Sequence, residues 1–443
     1  MTRSLVVGLG RFGGGEGALR FLADRGDEVL VSDSAPEAAF ADVVAAWRDH
    51  PRVTFSFGPQ TPELLAGRDL VVASPAVPPE APILRAARER GLPVTTELAL
   101  FLERAPRLGL AVTGSNGKST TAELLAAMLR AAGRTVEVAG NMGRSLLPEV
   151  ATLPPETELV LEISSFQLEA MALPTPPLRG AIITGITPNH LDRHGDMARY
   201  VEAKSRVLEL VADGGSLVAP RDLPALADWR AAGRLDRLRE IAVESLPADV
   251  ATAIAAGAPN RIIAFNARQA AALAGATGPL GVAAVTRALA EFRPLRHRLE
   301  EVARRGDLRF VDDSKSTTPE ATAAGVAAFE GPIHLVCGGY DKGLDPAPLL
   351  DAARRCASVR LLGATAEDLE GRLRGHADLA RFTTLSSLLD DVFARVRSGC
   401  VLLSPGHASY GLWRDYRARG EDFRRGIRER LGEGEAAPAA TDL

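Results

Sequence analysis

The chain has 443 residues, enough for about two to four domains, and 46% hydrophobic with 24% charged residues is an ordinary globular balance. Its net charge of −4 argues against nucleic acid or an anionic membrane as the main partner. The short N-terminal apolar run predicts no signal peptide, and the absence of an apolar stretch of about 18 residues predicts no membrane span. The three cysteines, Cys337, Cys356 and Cys400, lack metal-site spacing, which predicts reduced thiols and a cytoplasmic protein.

The first hundred residues alternate short apolar runs with Ala-, Leu- and Arg-rich segments. The apolar runs predict buried strands at Ser4–Val7, Glu28–Ser32 and Leu70–Ala73. The segments between them predict helices at Gly17–Arg25 and Pro82–Arg90, the second with a proline suited to a first helical turn. Strand–helix–strand alternation predicts a parallel sheet with helices on both faces.

Two further α/β series follow. The second series predicts strands at Leu108–Val112, Leu159–Ile163 and Gly180–Thr184. The third predicts strands at Leu308–Asp312, Ile333–Val336, Val359–Leu362 and Val401–Leu403. Pro-containing joints at Glu103–Arg107 and Phe292–Leu295 separate the series. The predicted fold class is therefore α/β with three domains, at residues 1–106, 107–292 and 293–443, and the last domain ends in a frayed tail at Gly432–Leu443.

The most informative motif is Ala111-Val-Thr-Gly-Ser-Asn-Gly-Lys-Ser-Thr120, which leads into a helix predicted at Thr121–Arg130. A strand, a glycine loop and a helix N-terminus in this order bind phosphate through backbone N–H groups. Lys118 can reach the terminal phosphates and Ser119 can bind Mg²⁺. The alternative is an ordinary turn with a chance Gly-Lys-Ser. Only Ser115 and Asn116 separate the two loop glycines, whereas the common phosphate loop has about four residues there.

A second glycine turn, Gly8-Leu-Gly-Arg-Phe-Gly13, follows the first strand, and Asp33 ends the next one. By itself this is a weak dinucleotide fingerprint, to be weighed against a plain tight turn. A dehydrogenase domain would leave the phosphate loop unexplained. A uridine nucleotide is another ligand that could bind at such a turn.

Polar residues interrupt a stretch that otherwise reads as core. Glu162 ends a predicted buried strand, where a carboxylate is costly unless it is paired or binds a metal. His190, Asp192 and His194 follow in one loop, and Lys204 lies in a helical segment. For Glu162 and His190 we favour Mg²⁺ binding over a satisfied polar core. Taken alone, Lys204 reads as part of a solvated helix face, and Asp192 and His194 could be loop or capping residues.

Five motifs resemble, in chain order, the central domain of the Mur ligases. They are the phosphate loop, Gly140-Asn141, Glu162-Ile-Ser-Ser-Phe-Gln167, Asn189-His-Leu-Asp-Arg-His194 and Ala203-Lys-Ser-Arg206. Three later motifs resemble the linker and C-terminal domain of the same family. They are Leu295-Arg-His-Arg-Leu-Glu300, Asp312-Asp-Ser-Lys-Ser-Thr317 and Gly338-Gly-Tyr-Asp-Lys-Gly343. Leu403-Ser-Pro-Gly-His-Ala-Ser409 and Ala73-Ser-Pro-Ala-Val77 resemble segments of the members that add glutamate. The resemblance covers nearly the whole chain.

The resemblance implies a Rossmann-like N-terminal domain for a uridine nucleotide, a central phosphate-loop ATPase domain with a mostly parallel sheet, and a Rossmann-like C-terminal domain for the amino acid. The implied reaction is ATP-dependent addition of glutamate, D- or L-, to UDP-N-acetylmuramoyl-L-alanine through an acyl phosphate, in cytoplasmic peptidoglycan synthesis, by a monomer. The implied cofactors are ATP and two Mg²⁺ ions, with Lys204 converted to a carbamate.

The resemblance also implies roles for single residues. ATP would be bound by Gly114, Ser115, Asn116, Gly117, Lys118, Ser119, Thr120, Asn266, Arg298 and Asp313. The catalytic residues would be Lys118, Glu162, His190 and Lys204, and the metal ligands Ser119, Glu162, His190 and Lys204. The nucleotide sugar would contact Ser34, Ser74 and Asn141. Glutamate would contact Lys315, Thr317, Lys342, Ser409 and Tyr416.

Several positions depart from the family pattern: Phe12, Phe265, Gln269, His407 and Gly411. They put fine substrate selection in question more than ATP chemistry. The alternatives are another amino-acid ligase of the superfamily, including the folate–glutamate type, and a nucleotide-binding regulator that has lost ligase activity. The joint presence of Glu162, His190 and Lys204 argues against the regulator.

Overall fold

The computed structural model describes residues 1–10, 13–142, 144–171 and 177–432. Phe12 and most of the predicted tail lie outside the described residues. The described chain forms three sheets in two compact units. The first unit comprises Met1–Gly257 with Asn266–Ala290, and the second comprises Ala258–Phe265 with Glu291–Leu443. No described helix is both long and apolar enough to cross a membrane.

The first unit begins with a five-stranded sheet in the order β3-β2-β1-β4-β5, and every pairing is parallel. Its strands are β1 (Arg3–Val7), β2 (Glu28–Asp33), β3 (Val53–Phe57), β4 (Leu70–Ala73) and β5 (Val94–Thr95). Its helices are α1 (Gly14–Asp24), α2 (Ala41–Trp47), α3 (Pro82–Glu89) and α4 (Glu97–Leu102), with 3-10 turns at Glu37–Phe40 and Pro62–Leu65.

The second sheet has six parallel strands in the order β11-β10-β9-β6-β8-β7. They are β6 (Gly109–Thr113), β7 (Val136–Gly140), β8 (Glu158–Glu162), β9 (Leu178–Ile183), β10 (Val211–Val218) and β11 (Arg239–Ile241). The helices are α5 (Lys118–Ala131), α6 (Ser165–Ala170), α7 (Leu191–His194), α8 (Met197–Ser205), α9 (Val207–Leu210), α10 (Ala225–Ala231), α11 (Ala248–Gly257), α12 (Arg261–Ala276) and α13 (Val282–Glu291), with 3-10 turns at Leu147–Thr152 and Val243–Ser245.

The second unit holds a six-stranded sheet in the order β12-β13-β17-β14-β15-β16. Its strands are β12 (Glu300–Arg305), β13 (Leu308–Asp312), β14 (Ile333–Cys337), β15 (Ser358–Leu362), β16 (Leu379–Phe382) and β17 (Gly399–Leu403). Only the β12–β13 pair of this sheet is antiparallel. The helices are α14 (Pro319–Ala327), α15 (Ala347–Ala353), α16 (Ala366–Arg372), α17 (Leu385–Arg395) and α18 (Tyr416–Leu431).

The predicted α/β class is confirmed, and the continuous apolar runs became fully buried central strands. Leu110, Ala111 and Val112 of β6 have no exposed surface, as expected for a parallel strand covered on both faces. One apolar core in the first unit includes Val6 of the first sheet and Leu161 of the second. The division of this unit into domains at residue 106 stays a prediction.

The placement of the predicted sites follows from the parallel topology. In a parallel sheet the carboxyl ends of the strands lie at one edge, and ligands bind there. Gly114, Asn141, Glu162 and Thr184 all follow or end strands β6 to β9. Residues 68 positions apart in the sequence therefore meet at one edge, as in the hydrogen bond from Thr184 to the carbonyl of Asn116.

Candidate functional site

The phosphate loop lies between β6 and α5, and its shape requires glycine. Gly114 has φ +142°, and a Cβ there would lie 2.0 Å from Oγ1 of Thr184. Thr184 donates a hydrogen bond of 2.6 Å to the carbonyl of Asn116, which ties the loop to the end of β9. Gly117, at φ +78°, is the N-cap of α5. The loop thus leads directly into a helix N-terminus that can bind an anion.

Lys118 is the first residue of α5, and its side chain turns back over the loop. Its Nζ donates a hydrogen bond of 3.0 Å to the carbonyl of Ser115. The Ser115 hydroxyl accepts from the backbone N–H of Thr187 and lies 3.0 Å from the hydroxyl of Tyr200. These bonds fix the backbone on which the predicted ATP contacts depend, and they position the Lys118 cation at the helix N-terminus.

Glu162 ends β8 and is 2% exposed. Its Oε1 accepts a hydrogen bond of 3.0 Å from the side-chain amide of Asn141, while its buried Oε2 has no hydrogen-bond partner among the described residues. A buried carboxylate oxygen without a partner is costly. The free carboxylate oxygen of Glu162 fits a hard divalent cation such as Mg²⁺, which prefers oxygen ligands.

Lys204 is buried, at 1% exposed, so the solvated-face interpretation of this residue is wrong. Its Nζ donates a hydrogen bond of 2.8 Å to the carbonyl of Gly114 and lies 4.7 Å from the ring centroid of Tyr200. Burial lowers the pKa of Lys204 well below its usual value, and the charge of Lys118 lowers it further, while Glu162 opposes the shift. Helix α8 therefore brings to the phosphate loop a lysine whose burial favours the neutral amine.

His190 precedes α7 and has φ 53°. Its ring makes an edge contact with Phe166 at a centroid distance of 5.1 Å. Partial burial lowers the pKa of His190, and the charges of Lys118 and Lys204 contribute, while Asp192 opposes them. The ring is accordingly neutral near pH 7 and able to accept a proton or bind a metal.

The neighbouring His194 has a different environment. It is buried, its Nε2 lies 3.0 Å from the Ser165 hydroxyl, and its ring packs against Phe166 and Tyr200. Asp192 is exposed. Since His194 packs between α6 and α8, the structure gives it a packing role.

Asn266 lies against the phosphate loop, because a Cβ on Gly117 would be 3.0 Å from its Oδ1. Its side-chain nitrogen is buried without a partner among the described residues, as are both polar atoms of Gln269, one turn further along α12. Phe265 is 42% exposed. Two amides with unused hydrogen-bonding capacity therefore lie at or near the loop, where the resemblance predicts ATP contacts.

A cavity of about 410 Å³ lies within the first unit, between its two sheets. It is lined by glycines of the first turn and of α1, by β4 residues, and by residues after β7 and β8. Ser74 and Asn141, two predicted nucleotide-sugar contacts, are among the lining residues, whereas the exposed Ser34 is not. Glu97, which the sequence reasoning missed, also lines this cavity.

Asp33 has a structural role at the glycine turn. Its Oδ2 accepts from the backbone N–H of Leu9 at 2.9 Å, and its Oδ1 accepts from that of Ala35 at 2.9 Å. Both carboxylate oxygens are therefore used to fix the turn. The structure therefore gives Asp33 a role in shaping the turn.

In the second unit, the loops after β13 and β17 are joined by Arg419 of α18, which is 1% exposed. Its guanidinium donates to the hydroxyl and carbonyl of Ser314 at 2.9 and 2.8 Å and to the carbonyl of His407 at 3.1 Å. The segment Arg419-Gly-Glu-Asp-Phe423 also resembles the glutamate-adding members, but the sequence assigned no role to Arg419. The glycine that follows, Gly420, is the sequence feature that indicates close packing here, since a Cβ there would be 2.1 Å from Nδ1 of His297.

The predicted glutamate contacts lie around these two loops. Lys342 donates a hydrogen bond of 3.4 Å to the Thr317 hydroxyl, and both line a small pocket with His407. Lys315 lies 5.1 Å from the ring centroid of Tyr416. Ser409 is buried, at 5% exposed, and is not among the residues that line this pocket.

Asp313 and Arg298, both predicted ATP contacts, lie near the turn before β12. Asp313 is 4% exposed and accepts from the Leu299 backbone and the Ser404 hydroxyl, at 3.3 and 2.8 Å. Burial raises the pKa of Asp313 to about 7, although its hydrogen bonds lower it. Its oxygens are occupied inside the protein, so this geometry supports a role in shaping the loop, and its predicted ribose contact stays a prediction.

His297, Glu300 and Asp312 form a buried cluster with the spacing of a metal site. Both carboxylates of the cluster already have partners within the protein. Nδ1 of His297 lies 2.7 Å from Asp312, and Glu300 pairs with Arg424 at 2.6 Å. Glu300 also accepts from the His297 backbone N–H at 3.1 Å. These contacts fix the strained turn, in which His297 and Leu299 have positive φ.

Family profiles match two parts of the chain. The profile described as "Mur ligase MurD-like, N-terminal domain" matches residues 2–96, and "Mur ligase middle domain" matches residues 112–254. The UDP-N-acetylmuramoylalanine–D-glutamate ligase of Desulfovibrio desulfuricans is 36% identical over 428 residues, which cover 95% of each chain. The protein of the same name from Frankia casuarinae is 36% identical over 467 residues, covering 97% of this chain and 94% of the relative.

Solved structures show the same fold at low sequence identity. The UDP-N-acetylmuramate–alanine ligase MurC of Thermotoga maritima is 17% identical with a TM-score of 0.55, covering 97% of this chain and 100% of that one. The MurF ligase of Thermotoga maritima, solved in complex with ADP, is 16% identical with a TM-score of 0.57, covering 97% and 99%. At these identities the likeness concerns the fold alone.

Proposed function

The chain belongs to the Mur ligase family, and we propose that it joins D-glutamate to UDP-N-acetylmuramoyl-L-alanine with hydrolysis of ATP. One observation carries the proposal. Asn141 lines the cavity that follows the glycine turn, and its amide also donates to Glu162 beside the phosphate loop. The end of a nucleotide-sugar ligand in that cavity would therefore meet the ATP phosphates, as transfer of a phosphoryl group to its carboxylate requires.

The reaction proceeds in two steps. A carboxylate oxygen of the alanyl group attacks the γ-phosphorus of ATP, the bond to ADP breaks, and an acyl phosphate forms. The amine of glutamate then attacks the acyl carbon, and inorganic phosphate leaves with the former carboxylate oxygen. Lys118 and the N-terminus of α5 neutralise charge on the transferred group, because phosphoryl transfer depends on positioning and electrostatics.

Mg²⁺, when bound, would neutralise phosphate charge and orient the phosphates for transfer. Ser119 and Glu162 would bind one ion, and His190 with the carbamate of Lys204 would bind the second. The unpartnered Oε2 of Glu162 supports the first of these ligand sets. The lowered pKa of His190 keeps its ring neutral, which is the form that binds a metal.

Lys204 acts as a carbamate in this proposal. Carbon dioxide reacts with a neutral amine, and the lowered pKa of Lys204 keeps that form available near pH 7. The N–C bond formed and the proton released convert a cation into an anion with two oxygens. That anion would assist the bound metal near Glu162, whereas an ammonium group would repel it.

In the second unit, the cations Lys315 and Lys342 and the hydroxyl of Thr317 support binding of an acidic amino acid. The D configuration rests on the names of the relatives. The three buried cysteines form no disulfide, which is consistent with a protein located in the cytoplasm, where thiols stay reduced. We assign the activity to a monomer.

The test measures phosphate release with UDP-N-acetylmuramoyl-L-alanine and each of D-glutamate, L-glutamate, L-alanine, diaminopimelate and D-alanyl-D-alanine. We expect release with D-glutamate alone. Activity with another amino acid would reassign the chain within the superfamily. Absence of phosphate release with every amino acid would favour the nucleotide-binding regulator that has lost ligase activity.

Lys118→Ala should lower this rate by at least about 100-fold, because one preorganised electrostatic partner of the phosphates is lost. Arg230→Ala, which removes an exposed cation of α10, is the matched control and should keep the wild-type rate. Unchanged thermal unfolding of both variants would show that the fold is intact. Near-normal turnover by Lys118→Ala would contradict the assignment of the ATP site.

A further inference from the structure

Glu97 is a titratable residue whose position has no part in the reaction described above. It is the first residue of α4, and its carboxyl group lines the 410 Å³ cavity beside Gly14 and Gly15 of α1. A Cβ on Gly14 would be 3.9 Å from its Oε2. Its Oε1 accepts a hydrogen bond from the Ser145 hydroxyl, which leaves Oε2 at the cavity wall.

The N-terminus of α1 defines what Oε2 faces. Gly8–Gly10 and the first residues of α1 line the cavity at the place where backbone N–H groups of a Rossmann-like unit bind a diphosphate. Among the residues described as lining the cavity, Glu97 is the only one that titrates, and no lysine or arginine is present. An ionised carboxylate at this place would repel a diphosphate.

Three pairs of opposite charges lie on the surrounding elements. They are Glu16 with Arg20 on α1, Glu103 with Arg104 at the end of α4, and Arg144 with Glu149 beyond Ser145. Burial raises the pKa of Glu97 to about 7, and the Ser145 hydrogen bond opposes the shift. The carboxyl group is therefore substantially protonated at neutral pH, with a proton to donate.

We propose that Glu97 is a further substrate-binding residue, which in its neutral form donates a hydrogen bond from Oε2 to a diphosphate oxygen of the uridine nucleotide. The inference rests on the proposed function, because it takes the cavity as the nucleotide-sugar site. Binding then takes up a proton: the ligand favours the protonated acid, so the pKa of Glu97 rises in the complex. The affinity for the nucleotide is highest at a pH below the pKa of Glu97 in the free protein. It weakens as the pH rises through that pKa.

The experiment measures binding of UDP-N-acetylmuramoyl-L-alanine by calorimetry between about pH 6 and about pH 8.5. The phosphates of this diester do not titrate in that range, so the ligand contributes no proton of its own. For a free-protein pKa near 7, we expect the affinity of the wild type to fall on the order of 30-fold. In buffers of different ionisation enthalpy near pH 7.5, we expect uptake of roughly three-quarters of a proton.

Glu97→Gln separates the proton from the hydrogen bond. Its amide can still donate but does not titrate, so this variant should bind as the wild type does at about pH 6 and keep that affinity at about pH 8.5. Glu103→Gln, which changes a carboxyl group at the other end of α4, should show the full wild-type pH dependence. UDP-N-acetylglucosamine, which lacks the carboxylate, should show the same pH effect if the partner is the diphosphate.

The outcomes distinguish the inference from the function it rests on. Equal pH dependence and proton uptake in the wild type and Glu97→Gln would overturn the role of Glu97 while leaving the ligase assignment intact. A pH effect seen only with the carboxylate-bearing ligand would overturn the diphosphate as partner. Absence of nucleotide binding at any pH, with folded protein, would instead refute the proposed nucleotide-sugar site. Thermal unfolding of Glu97→Gln checks that the variant is folded.

Discussion

At the scale of single residues, the environment decides what the lysines do. Lys118 follows its motif and lies where the phosphate loop predicts. Lys204 has no motif that predicts burial, yet its Nζ contacts the carbonyl of Gly114 and its pKa is lowered by burial and by Lys118. A buried lysine whose fold favours the neutral amine is a marker of function more than of stability.

Lys204→Ala should be nearly inactive in phosphate release, and acetate should restore part of the activity by occupying the space of the carbamate. Lys204→Arg should not be rescued, because the guanidinium keeps a positive charge and fills that space. Rates are compared with and without acetate, with sodium chloride at equal ionic strength as control. Full activity of Lys204→Ala without added acid would show that no carbamate is needed.

At the scale of elements, the ends of β7 and β8 set the geometry between the 410 Å³ cavity and the phosphate loop. Gly140 ends β7 at φ +95°, and a Cβ there would be 2.2 Å from the carbonyl oxygen of Glu162. The backbone N–H of Asn141 donates to that same carbonyl at 2.7 Å. Close approach of the two strand ends thus fixes both Asn141 and Glu162.

Gly140→Ala should lower the phosphate-release rate at least tenfold, by an order-of-magnitude estimate from about 1.4 kcal/mol of lost positioning, and should also destabilise the fold, since overpacking costs about 1–3 kcal/mol. Gly133→Ala is the matched control: its φ is +85°, but no atom lies within 4 Å of the added Cβ. The control should lose some stability through backbone strain and keep the wild-type rate. Equal rates for the two variants would show that the contact with Glu162 does not matter.

At the scale of the whole molecule, two compact units with separate cores share one chain. The core of the first includes Leu161 of β8 and that of the second includes Leu402 of β17, both without exposed surface. Chains with several domains commonly depart from a single two-state transition.

Calorimetry should resolve two unfolding transitions, assigned by two variants. Leu161→Ala should lower only one midpoint and Leu402→Ala only the other, each by a loss of about 2–5 kcal/mol in the affected unit. The conservative variants Leu161→Met and Leu402→Met nearly preserve side-chain volume and serve as controls. A single transition shifted by both alanine variants would contradict independent unfolding.

The sequence by itself determined the parts of this protein that are local. Buried parallel strands such as β6 show as continuous apolar runs, and the phosphate loop shows as one short segment because glycines, Lys118 and Ser119 all act within it. Edge strands such as β3 and the antiparallel β12 were not predicted, because half-exposed strands carry a weaker apolar signal. Only the tertiary structure decided that Lys204 is buried, that Glu97 lines the cavity of the first unit and that Arg419 joins two loops. Each of these depends on contacts between segments distant in sequence, and burial, which sets the protonation of Lys204 and Glu97, exists only once those segments have packed together.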